Sequence, residues 1–331
     1  MSEHAASATR AAQISSFLRK CESEYNCLGS AQLPIVWGLC SASSHVVVRA
    51  GKPVLAATQR ALLLRSCQTY SSVEVRLYTL VYFSPTGNVL HLARMLAGQL
   101  DSYGVRMLAL ESVAADQLAG DNHLVLLYPI HGFNAPRNVK RFAKCLPPDL
   151  YETVSLVGVG CTTAWVNQAA SSDLRRLLGN KGYPIVVDEI LAMPLTIVTS
   201  FPDELIYELI AESEKQVVAI GKALAEGTET IREVEGKSRL LSFFGKAEQF
   251  ASRLFGLELH AGENCISCGT CWENCPEKNI KRGNDGKPRF GHNCLMCMRC
   301  IYNCPENAIS PRFSKFLPIK NGYSLSLYVE E

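Results

Sequence analysis

The chain carries "CISCGTCWENCP" from Cys265 and "CLMCMRCIYNCP" from Cys294. Both read C-x2-C-x2-C-x3-C-P. Every cysteine of the first has a counterpart 29 residues on: Cys265 and Cys294, Cys268 and Cys297, Cys271 and Cys300, Cys275 and Cys304. Pro276 matches Pro305, Asn274 matches Asn303 and Ile280 matches Ile309, so one small unit is duplicated. The spacing has a physical reason. Three thiolates at this interval let a tight loop wrap one corner of an iron–sulfur cube. The fourth opens a short helix and turns away, and the proline after it suits a helix start.

In the bacterial two-cluster pattern that fourth cysteine serves the opposite cluster. One [4Fe–4S] cluster then takes Cys265, Cys268, Cys271 and Cys304, and the other takes Cys294, Cys297, Cys300 and Cys275. Zinc is the alternative for four-cysteine sites, but zinc ribbons use two pairs per metal rather than interleaved quartets. Residues 260–312 resemble bacterial-type ferredoxins with two [4Fe–4S] clusters. The linker between the motifs has Asn284, Asp285 and Gly286 as the turn of an expected hairpin.

Upstream, the pattern is different. Residues 75–83, 105–110, 123–130, 153–160 and 183–192 read as strands. Helices are predicted over 89–100, from Pro136 at the first helical position to 144, over 167–182 and over 201–227, with a helical turn at 115–120. Strands alternating with helices imply a parallel sheet covered on both faces. In such sheets ligands sit outside the carboxyl ends of the strands. Three loops distinctive in composition fall there: "SPTGN", "YPIHGFNAP" and "GVGCTTAW".

"SPTGN" joins the first strand to the first helix. A helix N-terminus presents unpaired N–H groups and partial positive charge, which suits a phosphate. Ser84, Thr86 and Asn88 add donors, and Gly87 lets the backbone come close. The same residues also make good turns. "FSPTGN" after a first strand resembles the FMN-phosphate loop of flavodoxins, over about residues 75–226. The resemblance implies a doubly wound five-stranded sheet of order 2-1-3-4-5 and FMN, with its phosphate on Ser84, Thr86, Gly87 and Asn88. It also implies that residues 129–135 and 160–165 flank the ring, naming Pro129, His131, Gly132, Phe133, Gly160 and Trp165. Phe133 and Trp165 are the stacking candidates, with ordinary packing as their alternative. Val89 stands where a hydroxyl residue often closes the flavodoxin loop.

Of the 14 cysteines, the six outside the repeat are expected to be small buried hydrophobes. Thiols kept for metal imply a reducing compartment, here the cytoplasm, with organellar targeting by the N-terminal segment left open. Residues 1–73 are Ala-, Ser- and Arg-rich, and a poorly ordered extension is expected. Residues 228–259 form a connector whose Leu240, Phe243, Phe244, Phe250, Leu254 and Phe255 stand near helical spacing. The expectation is a helix packing its apolar face between two domains, although a helix on a membrane surface has the same pattern. Residues 313–331 form a tail. A net charge of +2 argues against a nucleic-acid partner, and no apolar run reaches transmembrane length.

The two resemblances together match flavodoxin–ferredoxin fusion proteins. They imply an electron-transfer iron–sulfur flavoprotein relaying between FMN and two clusters, with a redox protein or a small-molecule acceptor as partner. Two other classes stay open: a flavin-dependent reductase of a quinone or other small acceptor, and a redox or iron sensor with a vestigial flavin site.

Overall fold

The computed structural model describes residues 76–331, apart from 114, 119–121, 164–165, 235, 321 and 330–331. The N-terminal extension and Trp165 therefore lie outside the described residues.

The parallel sheet comprises β1 (Leu77–Tyr82), β2 (Gly104–Ala109), β3 (His123–Pro129), β4 (Thr153–Gly160), β5 (Ile185–Ala192) and β6 (Thr230–Ile231). Its order is β2-β1-β3-β4-β5-β6. The expected order 2-1-3-4-5 is present, with a sixth strand added at the edge. That strand is two residues long, paired through Val187 with Thr230 and Asp188 with Ile231, and too short to leave a period in the sequence. A buried charge pins it. Asp188 accepts a hydrogen bond from Ser171 Oγ at 2.7 Å, and Arg232, the residue after β6, lies 3.6 Å from its carboxylate.

The central strands are apolar on both faces because both faces are covered. Leu124, Leu126 and Tyr128 point into one core, Val125 and Leu127 into the other, all fully buried. Helices α1 (Asn88–Gln99) and α4 (Asp203–Glu226) cover one face, and α2 (Arg137–Cys145) and α3 (Ser172–Gly179) the other. Gly227 ends α4 in the left-handed conformation at φ 69°. Two helix starts differ from expectation. Pro136 is the residue before α2 rather than its first, with extended ψ of 156°. Helix α3 begins at Ser172, because Asn167 spends its amide on the carbonyl of Thr162 and Ser171 its hydroxyl on Asp188. The turn expected at 115–120 is a 3-10 helix over Ala115–Leu118.

Helix α5 (Gly236–Glu258) inverts the expectation for the connector. Its protein-facing stripe is Ser238, Ser242, Gly245, Gln249, Ser252 and Gly256, with Phe255 beside it, and Leu240, Phe243, Phe244, Phe250, Leu254 and Leu257 point outward. Small residues let the backbones approach closely. A Cβ on Gly245 would lie 1.7 Å from the carbonyl oxygen of Gly132, and one on Gly256 would lie 2.2 Å from that of Gly291. Gln249 Nε2 donates to the carbonyls of His131 and Ala135, and Ser242 Oγ donates to Asn134 Oδ1.

Beyond α5, β7 (Leu259–Ala261) pairs antiparallel with β10 (Ile309–Pro311). Strands β8 (Ile280–Arg282) and β9 (Pro288–Phe290) form the expected hairpin, with Gly286 at φ 78° in its turn. Helices α6 (Thr270–Glu273) and α7 (Arg299–Tyr302) hold the third cysteines, Cys271 and Cys300, so the fourth, Cys275 and Cys304, follow a short helix rather than opening one as expected; a core around Phe255, Leu259, Ile280, Ile301 and Ile309 binds the segment together. The tail returns to the sheet domain, where Leu325 is buried among α1 and α4 residues.

Candidate functional site

A cavity of about 260 Å³ opens at the carboxyl ends of the strands. The loops after β1, β3, β4 and β5 form most of it, α5 contributes Glu248, Gln249 and Ser252, and Leu295, Met296 and Cys297 form a further wall. Of the residues predicted from sequence, Thr86, Asn88, Pro129, His131, Gly132, Phe133 and Gly160 line it, while Ser84 and Gly87 stand back from it. Sequence reasoning missed the loop of Met193 to Ile197. Its signal was available, since "MPLTI" follows the last long strand at the same end of the sheet. It also missed α5 and the cysteine loop, which nothing local in the sequence aims at this cavity.

The phosphate-type loop has the backbone expected of it. Gly87 precedes α1 at φ 98°, a conformation that L side chains rarely adopt. Ser84 acts on the loop itself, because its Oγ accepts the Leu90 N–H at 2.9 Å and closes the first turn of α1. The Asn88 side chain is buried. It donates to the carbonyl of Pro194 at 3.1 Å and accepts from the Tyr323 hydroxyl at 2.6 Å. Thr86 is the loop hydroxyl that reaches the cavity wall.

The β3–α2 loop is a tight turn. His131 and Asn134 exchange backbone hydrogen bonds at 2.9 and 3.1 Å across Gly132 and Phe133, both at positive φ. Phenylalanine seldom adopts such a conformation, and here α5 packs against the loop and holds it. His131 keeps some exposed surface, but that surface faces the cavity wall. Burial lowers its pKa to about 4, against a smaller opposing effect from the backbone of Leu295. The imidazole is therefore neutral at neutral pH. Cys161, expected to be buried, is exposed at the cavity edge, whereas Cys145 is buried as expected. The remaining scattered cysteines lie outside the described residues.

The eight cysteines of the repeat fall into two rings. Cys275, Cys294, Cys297 and Cys300 surround one small cavity, and Cys265, Cys268, Cys271 and Cys304 surround another. These are the interleaved quartets read from the spacing. Among the described residues, no three metal-binding side chains converge as a single ion requires. The thiols stand around a volume instead, as a four-iron cube needs. Backbone conformation repeats with the sequence: Ser267 and Met296 are at φ 56° and 53°, Gly269 and Met298 at 94° and 59°, Lys278 and Asn307 at 50° and 47°. These left-handed residues turn N–H groups toward sulfur. Asn279 N–H donates to Cys275 Sγ at 3.3 Å, and its repeat partner Ala308 N–H donates to Cys304 Sγ at 3.2 Å. Burial pushes the Cys297 thiol up to about 12.

Two arginines join the cysteine loop to the sheet domain. Arg299 donates to the carbonyl of Ser84 at 2.9 Å, pairs with Glu111, and lies over the Phe83 ring. Arg137 donates to Asn293 Oδ1 at 3.0 Å and to the carbonyl of Cys294. Leu295 is buried in the core beneath β3 and β4.

Residues 264–309 match the family model of the 4Fe-4S dicluster domain. No curated protein matches the chain. Among solved structures, the chain is similar to a short-chain flavodoxin associated with a non-canonical PDU bacterial microcompartment. Identity there is 16% and the TM-score 0.35, over 46% of this chain and 99% of that one. It is also similar to a Fusobacterium nucleatum flavodoxin bound to flavin mononucleotide, at 12% identity and a TM-score of 0.33, over 44% of this chain and 97% of that one. A flavodiiron core from Synechocystis sp. PCC6803 is similar at 14% identity and a TM-score of 0.32, over 53% and 43%. At such values the fold is defined by the chain's own strand order, which is that of the flavodoxin-like doubly wound sheet. The chain joins that sheet to a 4Fe-4S dicluster domain, the architecture of a flavodoxin–ferredoxin fusion.

Proposed function

We propose that the chain relays electrons between FMN, held in the 260 Å³ cavity, and its two [4Fe–4S] clusters. One observation carries this reading: Leu295, Met296 and the cluster ligand Cys297 form a wall of the same cavity that the strand-end loops line. When bound, FMN handles electrons singly or in pairs and the clusters handle them one at a time.

The residues have distinct parts. Thr86, with the N–H groups at the start of α1, would hold the phosphate, and Gly87 keeps the backbone close. Ser84 shapes that loop. Pro129, His131, Gly132, Phe133 and Gly160 would flank the ring, together with Trp165 outside the described residues. Asn88 is committed to Pro194 and Tyr323, so it braces the site rather than donating to phosphate. Cys275, Cys294, Cys297 and Cys300 would hold the nearer cluster and Cys265, Cys268, Cys271 and Cys304 the farther one. Leu295 and Met296 keep water from the gap between the nearer cluster and the cavity. The reading places the protein in a reducing compartment, exchanging electrons with a redox protein or a small acceptor.

A reductase reading would need a proton donor beside the ring. His131 is a poor one, since burial holds it neutral down to about pH 4. The sensor reading has an observation of its own, the cover of Tyr323 and Leu325 over the phosphate-type loop. Anaerobic purification and reconstitution, followed by flavin, iron and sulfide counts, separates the readings. The relay reading expects about eight irons and about one FMN per chain. A protein that holds both clusters and refuses FMN supports the sensor instead.

A further inference from the structure

Helix α5 turns its apolar side chains away from the protein. The stripe it buries recurs every three or four residues and consists of serine, glycine and glutamine. On the opposite face Leu240, Phe243, Phe244, Phe250, Leu254 and Leu257 are each between 54% and 68% exposed. Single exposed apolar residues are ordinary, but a ridge that runs about 26 Å from Leu240 to Leu257 marks an interaction surface.

The ridge continues beyond the helix. The Ser314 N–H and Oγ both donate to the Glu258 carboxylate at 2.9 Å, and the Arg312 N–H donates to the Glu258 carbonyl at 3.0 Å. The returning chain therefore sits at the end of α5, with Phe313 83% exposed.

Charge says what the ridge fits. The helix has four cations, Lys237, Arg239, Lys246 and Arg253, and two acids, Glu248 and Glu258. At 100° per residue, Arg239, Lys246 and Arg253 fall along one border of the apolar face and Lys237 and Glu248 along the other, while Glu258 falls within the face at its C-terminal end. Glu258 is taken by Ser314, and Glu248 borders the cavity. Lys246 leans to Asp173 at 3.4 Å, but Arg253 stays over the Phe250 ring at 5.9 Å. Arg312 and Lys315 are exposed beside Phe313. The surface is thus an aromatic ridge bordered by the cations Arg239 and Arg253, a pairing of apolar and cationic groups that complements an anionic lipid surface.

We propose that α5 is a membrane-surface anchor, its Phe and Leu face entering the interface of an anionic bilayer while Arg239, Arg253, Arg312 and Lys315 meet the lipid headgroups. No helix among the described residues is long and apolar enough to cross a membrane, so the contact is peripheral. The proposal does not depend on FMN.

Sedimentation of the full chain, with its clusters intact, against vesicles of phosphatidylcholine with and without phosphatidylserine tests it. Binding is expected to the anionic vesicles and to weaken as salt rises. A variant with Phe243→Ser, Phe244→Ser and Phe250→Ser should lose at least about tenfold in binding. A variant with Arg239→Glu and Arg253→Glu should lose its preference for phosphatidylserine. Both sets lie on the surface, and the iron–sulfur absorbance reports that each variant has folded. Three results would overturn the proposal. One is no sedimentation of the wild type. Another is equal binding to both vesicles. The last is a wild type that self-associates while the phenylalanine variant is monomeric and neither binds lipid.

Discussion

Arg299 Nη2 lies 2.9 Å from the carbonyl oxygen of Ser84. One of these residues precedes Cys300 of the second motif, and the other opens the loop after β1. The same guanidinium pairs with Glu111 and donates to the carbonyl of Asn274 at 3.2 Å. A single half-buried side chain thus links both cysteine motifs to the end of the sheet where the cavity lies.

Arg299→Ala should therefore loosen the junction rather than either part. Hydrogen bonds to a charged group contribute about 1.5–3 kcal/mol each, and the variant leaves Glu111 without its partner. Loss of about 2 kcal/mol is expected in anaerobic urea unfolding followed by cluster absorbance. An unchanged midpoint would mean that the junction rests on Leu295 and Arg137 alone.

Gly245→Ala should be among the most damaging single-methyl additions in the chain. The new Cβ would meet backbone, the carbonyl of Gly132, which cannot rotate away. A loss of about 3 kcal/mol or more is expected, with displacement of the turn carrying His131 and Phe133. Gly98→Ala is the control, because nothing lies within 4 Å of its Cβ position and α1 gains a better helix former. Thermal unfolding of the two variants should move in opposite directions.

Stability should fall in mild acid through His123. The ring is buried and bonded to the hydroxyls of Ser155 and Thr153. Burial, aided by nearby Arg76, lowers its pKa to about 4 from 6.5. Between those values the unfolded chain takes up a proton that the folded chain refuses. The contribution is complete above pH 6.5 and is lost as pH falls toward 4, by up to about 3 kcal/mol. The stability difference between the wild type and His123→Gln, measured by urea unfolding at several pH values, should narrow across that window.

Cys275→Ser and Cys304→Ser should damage different clusters. Each lies in one motif and rings the cavity of the other. Cys304→Ser is expected to remove about half the iron while keeping the cluster beside the flavin cavity. Cys275→Ser should lose that nearer cluster. Iron counts with electron paramagnetic resonance of the reduced variants distinguish this from ligation within each motif.

The cysteine quartets were legible in the sequence because ligand spacing is fixed by the cube, and the repeat exposes it twice. The parallel sheet followed from alternating strands and helices and its order from the flavodoxin resemblance of "FSPTGN", and the loop at Gly87 was legible at the seam between the first strand and helix. Strand β6 was not legible, since two residues carry no period and its anchor, Arg232 on Asp188, is a tertiary contact. The orientation of α5 was misread because its apolar residues have helical spacing too. The contrary signal was the stripe of Ser238, Ser242, Gly245, Ser252 and Gly256 on the opposite side, small enough for backbone contact. Commitment of Asn88 to Tyr323 could not be seen, because it joins residues 235 positions apart.

The proposed relay has the cluster held by Cys275, Cys294, Cys297 and Cys300 exchange electrons with FMN inside one chain. Flash reduction of the anaerobic, fully loaded protein by a photogenerated one-electron donor tests it most directly, with cluster and flavin absorbance followed in time. The expected result is an exchange phase whose rate does not change with protein concentration and which disappears in Cys275→Ser. A phase whose rate scales with protein concentration, or no exchange while both groups remain bound, would contradict it.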